Sequence, residues 1–312
     1  RKHFGMIGLD EGNDKSPDDT NSHSTPWSTF LSEAIQRFRS AGFENPENEA
    51  RWIVETASGY SGASLPYGLE QQATERGVAH FDGMVERRLN HEPLQYVCGV
   101  WGFRTLDLMV DHRVLIPRPE TEIVAGIALG ELERNSSKEK KIVVDLGTGS
   151  GAIGLAIATE MEDVDVVLTD ISSDALQVAR ANLAGLGAHG TSVTIYQGSW
   201  FAALPKKYRK SFSLIVSNPP YISINEMKSL PPNVRDWEPR LALASGENGT
   251  EYLEIIVDEA EEWLKHSGSL VLEMAPHHVD AISERMLGRG YSDVQIFQDL
   301  SGRNRGVVGK WN

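Results

Sequence analysis

Val143-Val144-Asp145-Leu146-Gly147-Thr148-Gly149-Ser150-Gly151 is an apolar run that breaks into a glycine-rich turn, and a helix-forming stretch from Ala152 follows it. Glycines let a backbone turn tightly and approach a ligand closely. The N-terminus of a helix offers N–H groups that have no partner within the helix. A second apolar run, Val164–Asp170, ends on an acid about 20 residues further on, where a carboxylate can accept both hydroxyls of a ribose. A glycine turn by itself is as well explained by packing a helix on a strand. Here strand, turn, helix and Asp170 fall in order, which points to a nucleoside-bearing cofactor held by Gly147, Thr148, Gly149, Ser150, Gly151 and Asp170. The segment Gly149-Ser150-Gly151-Ala152-Ile153-Gly154 also satisfies G-x-G-x-x-G. The loop alone therefore leaves S-adenosylmethionine and a nicotinamide dinucleotide both open.

On either side of this loop, strands and helices alternate. Strands are expected at Ile142–Asp145, Val164–Asp170, Ser192–Gln197, Phe212–Ser217 and Ser269–Glu273, with helices near 152–160, 173–186, 250–265 and 277–289. Such alternation gives an α/β fold with a parallel sheet covered on both faces. Two further strands, near 292–299 and 306–311, have no helix between them and should form an antiparallel hairpin at the end of the sheet. Upstream, residues 118–312 are preceded by a short alternating stretch at 101–117, read as a β-hairpin linker. Pro117-Arg118-Pro119 ends that stretch and Glu120-Thr121-Glu122 opens a helix to about Glu133, with a loop at Asn135–Lys138. Residues 27–100 read as a small helical domain: Phe30, Leu31, Ala34, Ile35 and Phe38 recur at helical spacing, as do Ala50, Ile53, Val54 and Ala57, and a third helix spans Glu75–Leu89. Residues 1–26 are polar and resemble a disordered tail.

The 312-residue chain carries a net charge of −14, and residues 27–100 and 101–312 are each acidic. Gripping nucleic acid calls for a basic face, so the charge favours a protein or small-molecule substrate without direct nucleic-acid contact. No apolar run approaches the roughly 20 residues of a membrane helix. Cys98 is the single cysteine, which rules out an internal disulfide and a cysteine-based zinc site and suits a reducing compartment. With no secretory or transit pattern at its start, the chain is expected to be cytoplasmic. It begins at Arg1 and not Met, so its natural start is expected upstream.

The reaction site is read from Leu214-Ile215-Val216-Ser217-Asn218-Pro219-Pro220-Tyr221. An apolar strand delivers Asn218 to its carboxyl end, where open α/β sheets bind ligands. The prolines fix φ and remove two N–H donors, leaving carbonyls free to accept. A planar NH2 group would donate one hydrogen to the Asn218 side chain and one to the Pro219 carbonyl, with Tyr221 stacked on its face. That arrangement suits methylation of an amide or an aromatic amine, whose lone pair is delocalised. Asn218, Pro219, Pro220 and Tyr221 are thus the candidate catalytic and substrate-binding residues, and no metal is needed. Asn-Pro-Pro-Tyr alone leaves amide and nucleobase both possible.

With these motifs the chain resembles the release-factor glutamine methyltransferase family, whose members methylate the glutamine of the Gly-Gly-Gln motif in class I peptide chain release factors. The resemblance runs from about Trp27 onward. It includes Leu115-Ile116-Pro117-Arg118-Pro119-Glu120-Thr121-Glu122, the loop Asp145 to Gly151, Gly198-Ser199-Trp200-Phe201, Ser217 to Tyr221, Trp237-Glu238-Pro239 and Arg303-Asn304-Arg305. The Pro-Arg-Pro-Glu-Thr-Glu element separates this family from DNA methyltransferases that share Asn-Pro-Pro-Tyr. The resemblance implies a Rossmann-like, seven-stranded class I methyltransferase domain with one reversed strand. It implies S-adenosylmethionine as cofactor, with Gly147 to Gly151, Asp170, Trp200 and Asn218 contacting it and Trp200 beside the adenine. It further implies that Asn218 to Tyr221 hold the glutamine amide and that the helical domain helps dock the release factor. One departure is visible: where the family often has a Gly and, three residues later, a Gln, this chain has Ala275 and His278, so contacts made by those family residues have no counterpart here.

Several residues stay ambiguous in sequence. Trp200 also fits as a core tryptophan. Arg118 and Glu120 read equally as a structural clamp or as part of the site. His277-His278 lacks a third nearby ligand and reads as a helix start. Asp258-Glu259-Glu261-Glu262 reads as an exposed helix face. Methylation of a ribosomal-protein glutamine uses the same amide geometry. An adenine or cytosine methyltransferase would want a basic groove and a target-recognition domain. A nicotinamide oxidoreductase leaves Asn218 to Tyr221 without a role, and a silent binding module leaves Asp170 and Asn218 without one.

Overall fold

The structure, a computed structural model, describes residues 25–134 and 139–312. The tail expected at 1–26 (apart from its last two residues) and the loop at 135–138 lie outside the described residues. The chain divides into two compact units, residues 1–82 and 83–312, and the division falls inside the fourth helix.

The first unit is helical: α1 (Trp27–Ser40), α2 (Pro46–Ser58), α3 (Leu65–Leu69) and the start of α4 (Glu75–Leu89). Trp27, Ala34 and Phe38 of α1 and Ala50, Ile53 and Val54 of α2 are buried, the i, i+3, i+4 stripe of an amphipathic helix. Phe30 and Leu31, expected on the same stripe, are partly buried. Trp27, Phe30 and Phe81 form an aromatic cluster with ring centroids 5.4–6.2 Å apart. Pro46 opens α2 at a position that needs no N–H, and Gly59 ends it at φ 76°, a left-handed value that favours glycine.

The second unit continues through α5 (Leu94–Cys98) to a two-stranded antiparallel hairpin, β1 (Val100–Phe103) and β2 (Leu106–Met109), that turns at Arg104. The chain from Val110 to Arg118 is irregular, and α6 (Pro119–Arg134) starts on its proline. The alternating part follows: β3 (Lys141–Leu146), α7 (Ala152–Glu160), β4 (Val164–Asp170), α8 (Ser173–Ala184), β5 (Val193–Gln197) and β6 (Phe212–Ser217). Two single-turn helices, α9 (Pro232–Arg235) and α10 (Arg240–Leu243), flank Trp237-Glu238-Pro239. Then come α11 (Glu251–Glu259), β7 (Leu264–Glu273), α12 (Val279–Gly288), β8 (Tyr291–Gln298) and β9 (Asn304–Trp311).

The seven strands stack in the order β5-β4-β3-β6-β7-β9-β8. All neighbours from β5 to β7 are parallel, and β9 is antiparallel to both β7 and β8. The expected hairpin forms, but its second strand is the inner one: β9 lies between β7 and β8. Successive residues face opposite layers. Val143 joins a core with α6 and α7, while Val144 and Leu146 join a core with α11 and α12. Burial on both faces explains why the strands read as continuous apolar runs.

Two elements depart furthest in length from the expectation. β7 begins at Leu264 and not Ser269, because the polar run Lys265–Gly268 forms an irregularity against β6 and masks the strand's start. The helix expected at 250–265 stops at Glu259, where a 3-10 turn over Ala260–Glu262 frees the chain to enter the sheet. Among the described residues no helix is long and apolar enough to cross a membrane.

Candidate active site

The chain runs β3, β4, β5 outward in one direction and returns across β3 to β6. The carboxyl ends of β3 and β6 therefore face a crevice, the place where doubly wound sheets bind ligands. A cleft opens there, walled by the turn after β3, by Asp170 at the end of β4, by Trp200 after β5 and by Asn218 after β6.

The glycine turn is built by specific contacts. Gly147, Gly149 and Gly151 have φ of 70°, 57° and 88°. Asp145, 1% exposed, accepts hydrogen bonds from the Thr148 hydroxyl (2.7 Å) and the Gly154 N–H (3.0 Å). Burial pushes its carboxyl up to about 6, against the pull of those two donors. A Cβ on Gly154 would come within 2.1 Å of Leu168 Cδ2, so this third glycine lets α7 pack on β4. Asp170 accepts the Gly149 N–H (2.9 Å) on one oxygen and the Ser172 N–H (2.9 Å) on the other. Its carboxyl is raised by burial, with those N–H donors opposing the shift. From α8, Asn182 donates to the Ser150 carbonyl (2.8 Å) and exchanges two hydrogen bonds with Met109 of β2 (2.7 and 3.1 Å). The turn is thereby tied to the hairpin.

Trp200 lies against Gly147, where a Cβ would sit 3.3 Å from the indole, and packs on Tyr252 of α11 with ring centroids 5.2 Å apart. Both aromatics line the cleft, so Trp200 faces a ligand space. Tyr252 was not legible as a site residue: it is one aromatic in an ordinary amphipathic helix.

Asn218 follows β6 at the cleft wall, and its Nδ2 donates to the Thr121 hydroxyl at 3.3 Å. Its Oδ1 is left to accept. Thr121 is on the first turn of α6, in the Pro-Arg-Pro-Glu-Thr-Glu element. Pro220 also lines the cleft. Pro219 is buried, and Gly151 packs on Leu155 beneath the turn. The Tyr221 ring packs against the α11–α12 core, and burial together with nearby Glu273 raises its hydroxyl. Gly147, Thr148, Gly149, Ser150, Asp170, Trp200, Asn218 and Pro220 therefore share one cleft, whereas Gly151, Pro219 and Tyr221 are not on its wall.

Arg118 forms an ion pair with Glu238, a carboxylate 5% exposed that also accepts the Ile116 N–H at 3.3 Å. The pair joins Pro-Arg-Pro to Trp-Glu-Pro, and Leu115, Pro117, Pro239 and Leu241 on its two sides line the cleft. Arg118 is thus a clamp. Glu120 bonds Arg305 of β9 at 3.1 Å.

Comparison with known proteins gives a consistent result. A family model described as "PrmC N-terminal domain" matches residues 29–99, and one described as "Methyltransferase small domain" matches 125–230. A release factor glutamine methyltransferase of Geobacter sulfurreducens is 34% identical over 86% of this chain and 91% of its own length. One of Rhodopirellula baltica is 34% identical over 91% and 96%. The chain belongs to the release factor glutamine methyltransferase family. A "bifunctional methyltransferase" of Rickettsia typhi is also 34% identical, but the chain spans only about half of it, 55% of its length. Among solved structures, the hMettl16 catalytic domain in complex with the MAT2A 3'UTR hairpin 6 superposes with a TM-score of 0.51 at 12% identity, over 77% of this chain and 82% of that one. That likeness speaks for a class I methyltransferase fold alone.

In this chain β9 is the one reversed strand of the seven. The departure at Ala275 and His278 also has a physical account. His278, buried at the start of α12, places Nε2 3.2 Å from the Tyr221 carbonyl, and burial lowers its ring below the usual histidine range. A neutral imidazole with Nε2–H donating to that carbonyl braces the turn after Asn218. His277 pairs with Glu226 at 3.5 Å.

Proposed function

We propose that the chain transfers the methyl group of S-adenosylmethionine to the side-chain amide nitrogen of the glutamine in the Gly-Gly-Gln motif of class I peptide chain release factors, in the cytoplasm. The observation that carries this reading is the placement of Asn218: one of its two amide N–H groups is given to Thr121, and the residue lines the cleft that the glycine turn also lines, with its Oδ1 as the acceptor for substrate.

The cleft fits the cofactor. Asp170 has lone pairs left beyond its two backbone donors and suits a ribose diol. The Cβ position of Gly149 opens into free space. Trp200, Tyr252 and Ile153 give an apolar bed for a purine. Asp145 and Asp170 together line the turn where a dinucleotide would place its diphosphate, and anions there repel one another. S-adenosylmethionine instead presents an ammonium and a sulfonium. When bound, it supplies an electrophilic methyl group to an in-line nucleophile.

The chain's own contribution is positioning. Asn218 Oδ1 accepts one amide N–H of the substrate, and a backbone carbonyl of the Asn218–Pro220 turn beside it is the second acceptor. Two acceptors on the hydrogens turn the nitrogen lone pair toward the methyl group. As the cofactor's charge is lost in transfer, no group need be held to neutralise it. The helical segment 27–100 serves as the docking region for the release factor and 101–117 as its linker to the catalytic part, residues 118–312.

The test is incubation of the purified chain with release factor and methyl-labelled cofactor, followed by peptide mass spectrometry. A label on the Gly-Gly-Gln glutamine is expected; label on a ribosomal-protein glutamine or on nucleic acid alone would reject the proposed substrate. Asp170→Ala is expected to weaken S-adenosylmethionine binding by about 2 kcal/mol, the scale of a charge-assisted hydrogen bond, read by isothermal titration. An unchanged affinity, or binding of NADH in its place, would remove the cofactor assignment.

A further inference from the structure

Glu273 closes β7, one strand over from Asn218, and is 2% exposed. Its Oε2 is fully buried and has no hydrogen-bond partner. Around it stand the Thr121 hydroxyl and Glu120 from α6, Arg118 just before that helix, Arg305 from β9, and Tyr221 from the turn after β6. A carboxyl held in such a place is costly, and an apolar residue of like volume would suit the fold better. The sheet does not require it.

The hydroxyl of Thr121 explains its use. A hydroxyl has one proton and two lone pairs. Asn218 Nδ2 takes a lone pair at 3.3 Å, so the hydroxyl proton points elsewhere, and the acceptor on offer is the enclosed Glu273 carboxyl, whose Oε2 has no other partner. A carboxylate accepts and cannot donate. We propose that Glu273 is a positioning residue that sets the direction of the Asn218 carboxamide through Thr121: the carboxylate holds the hydroxyl proton, the hydroxyl holds the carboxamide N–H, and Oδ1 is left toward the substrate nitrogen. This rests on the reading of Asn218 as acceptor for the substrate amide.

Protonation of Glu273 reverses the sequence. A neutral carboxyl donates to Thr121, whose proton is then free to turn toward Asn218, and the carboxamide is favoured with its NH2 toward the cleft. Donor would then meet donor. Burial pushes the Glu273 carboxyl up to about 7; the Thr121 hydroxyl, Arg305 and Arg118 oppose that rise and Glu120 adds to it. Ionised Glu273 is the productive form, so the rate rises with pH through neutrality and falls on the acid side.

The experiment measures kcat and KM for methylation of release factor across the acid and neutral range, with the full chain and the variants Glu273→Gln, Thr121→Val and Thr121→Ser. Glutamine can donate or accept, so Glu273→Gln is expected to lose on the order of 10- to 100-fold in kcat, the scale of a misaligned reacting group. Its acid limb should vanish while S-adenosylmethionine affinity stays near that of the wild type. Thr121→Val should show the same loss, and Thr121→Ser, which restores the hydroxyl, should recover most of the rate and the acid limb. A Glu273→Gln chain with wild-type kcat and an intact acid limb overturns the proposal, as does a fully active Thr121→Val. If Glu273→Gln does not fold, the two Thr121 variants decide. A wild-type chain that methylates no release factor refutes the substrate reading first; a wild-type chain that does, matched by Glu273→Gln at every pH, refutes this inference alone.

Discussion

Asn218→Ala is expected to lower methyl transfer to release factor by on the order of 100- to 1000-fold, the loss seen when a preorganised polar group at a reacting centre is removed. The fall should appear in kcat, because the Asn218 acceptor matters most when the nitrogen lone pair is turned toward the methyl group. S-adenosylmethionine should still bind, only more weakly, because Asp170 and the glycine turn, with Trp200 and Tyr252 alongside, stand on other strands and helices. Single-turnover assays beside isothermal titration separate the two effects. Unchanged turnover would remove Asn218 from the reaction, and complete loss of cofactor affinity would recast it as a cofactor ligand. Asn218→Asp should be similarly damaging, because a carboxylate has no N–H to give Thr121.

Gly306→Ala is expected to cost about 3 kcal/mol of stability, at the upper end of overpacking penalties. Gly306 sits in β9 opposite Glu273 of β7 and Phe297 of β8. A Cβ there would lie 2.1 Å from the Leu272 carbonyl oxygen and 2.4 Å from Phe297 Cζ. The ring has some room to shift, but the carbonyl belongs to the backbone of a central strand and does not. At roughly 2–4 °C per kcal/mol for a unit of this size, the sheet-bearing unit should melt roughly 6–12 °C lower in a thermal scan. A melting point close to that of the wild type would mean that β7 and β9 are packed more loosely than described. Activity should fall as well, because Glu273 and Arg305 flank the same contact.

The parts of the fold that depend on neighbours in sequence were legible in the sequence. β4, β6 and α7 fall at their expected bounds because burial on both faces makes each strand an unbroken apolar run. The start of β7 was hidden, because its pairing is carried by backbone groups whose side chains are polar. The site divides the same way. Gly147, Gly149 and Asp170 announce themselves through spacing. Thr121 and Asn218 meet across 97 positions, and Arg118 and Glu238 across 120, and a pairing between side chains that far apart leaves no local pattern. Glu273 is harder still: an acid ending an apolar strand reads as a boundary residue, and nothing short of the packed sheet shows it to be enclosed. Tyr221 was expected at the cleft and instead has its ring against the core, because its carbonyl is held by His278.

The inner position of β9 bears on how the molecule assembles. The ribosome makes the strands in the order β7, β8, β9, yet they stand as β7, β9, β8. When β8 emerges it has no seat, and the open edge of β7 is the nearest surface that offers hydrogen bonds. β8 runs in the same direction as β7 in the finished sheet, so a premature parallel pairing of the two would trap a nascent chain. Release requires β9 to displace β8 from that edge, and the close approach that only glycine permits at position 306 gives β9 the better fit. The glycine turn and Asn218 can therefore be in place while the enzyme is still unfinished. Arg305, which bonds Glu120, takes its place only with β9, so the last strand to be made completes the surroundings of Glu273.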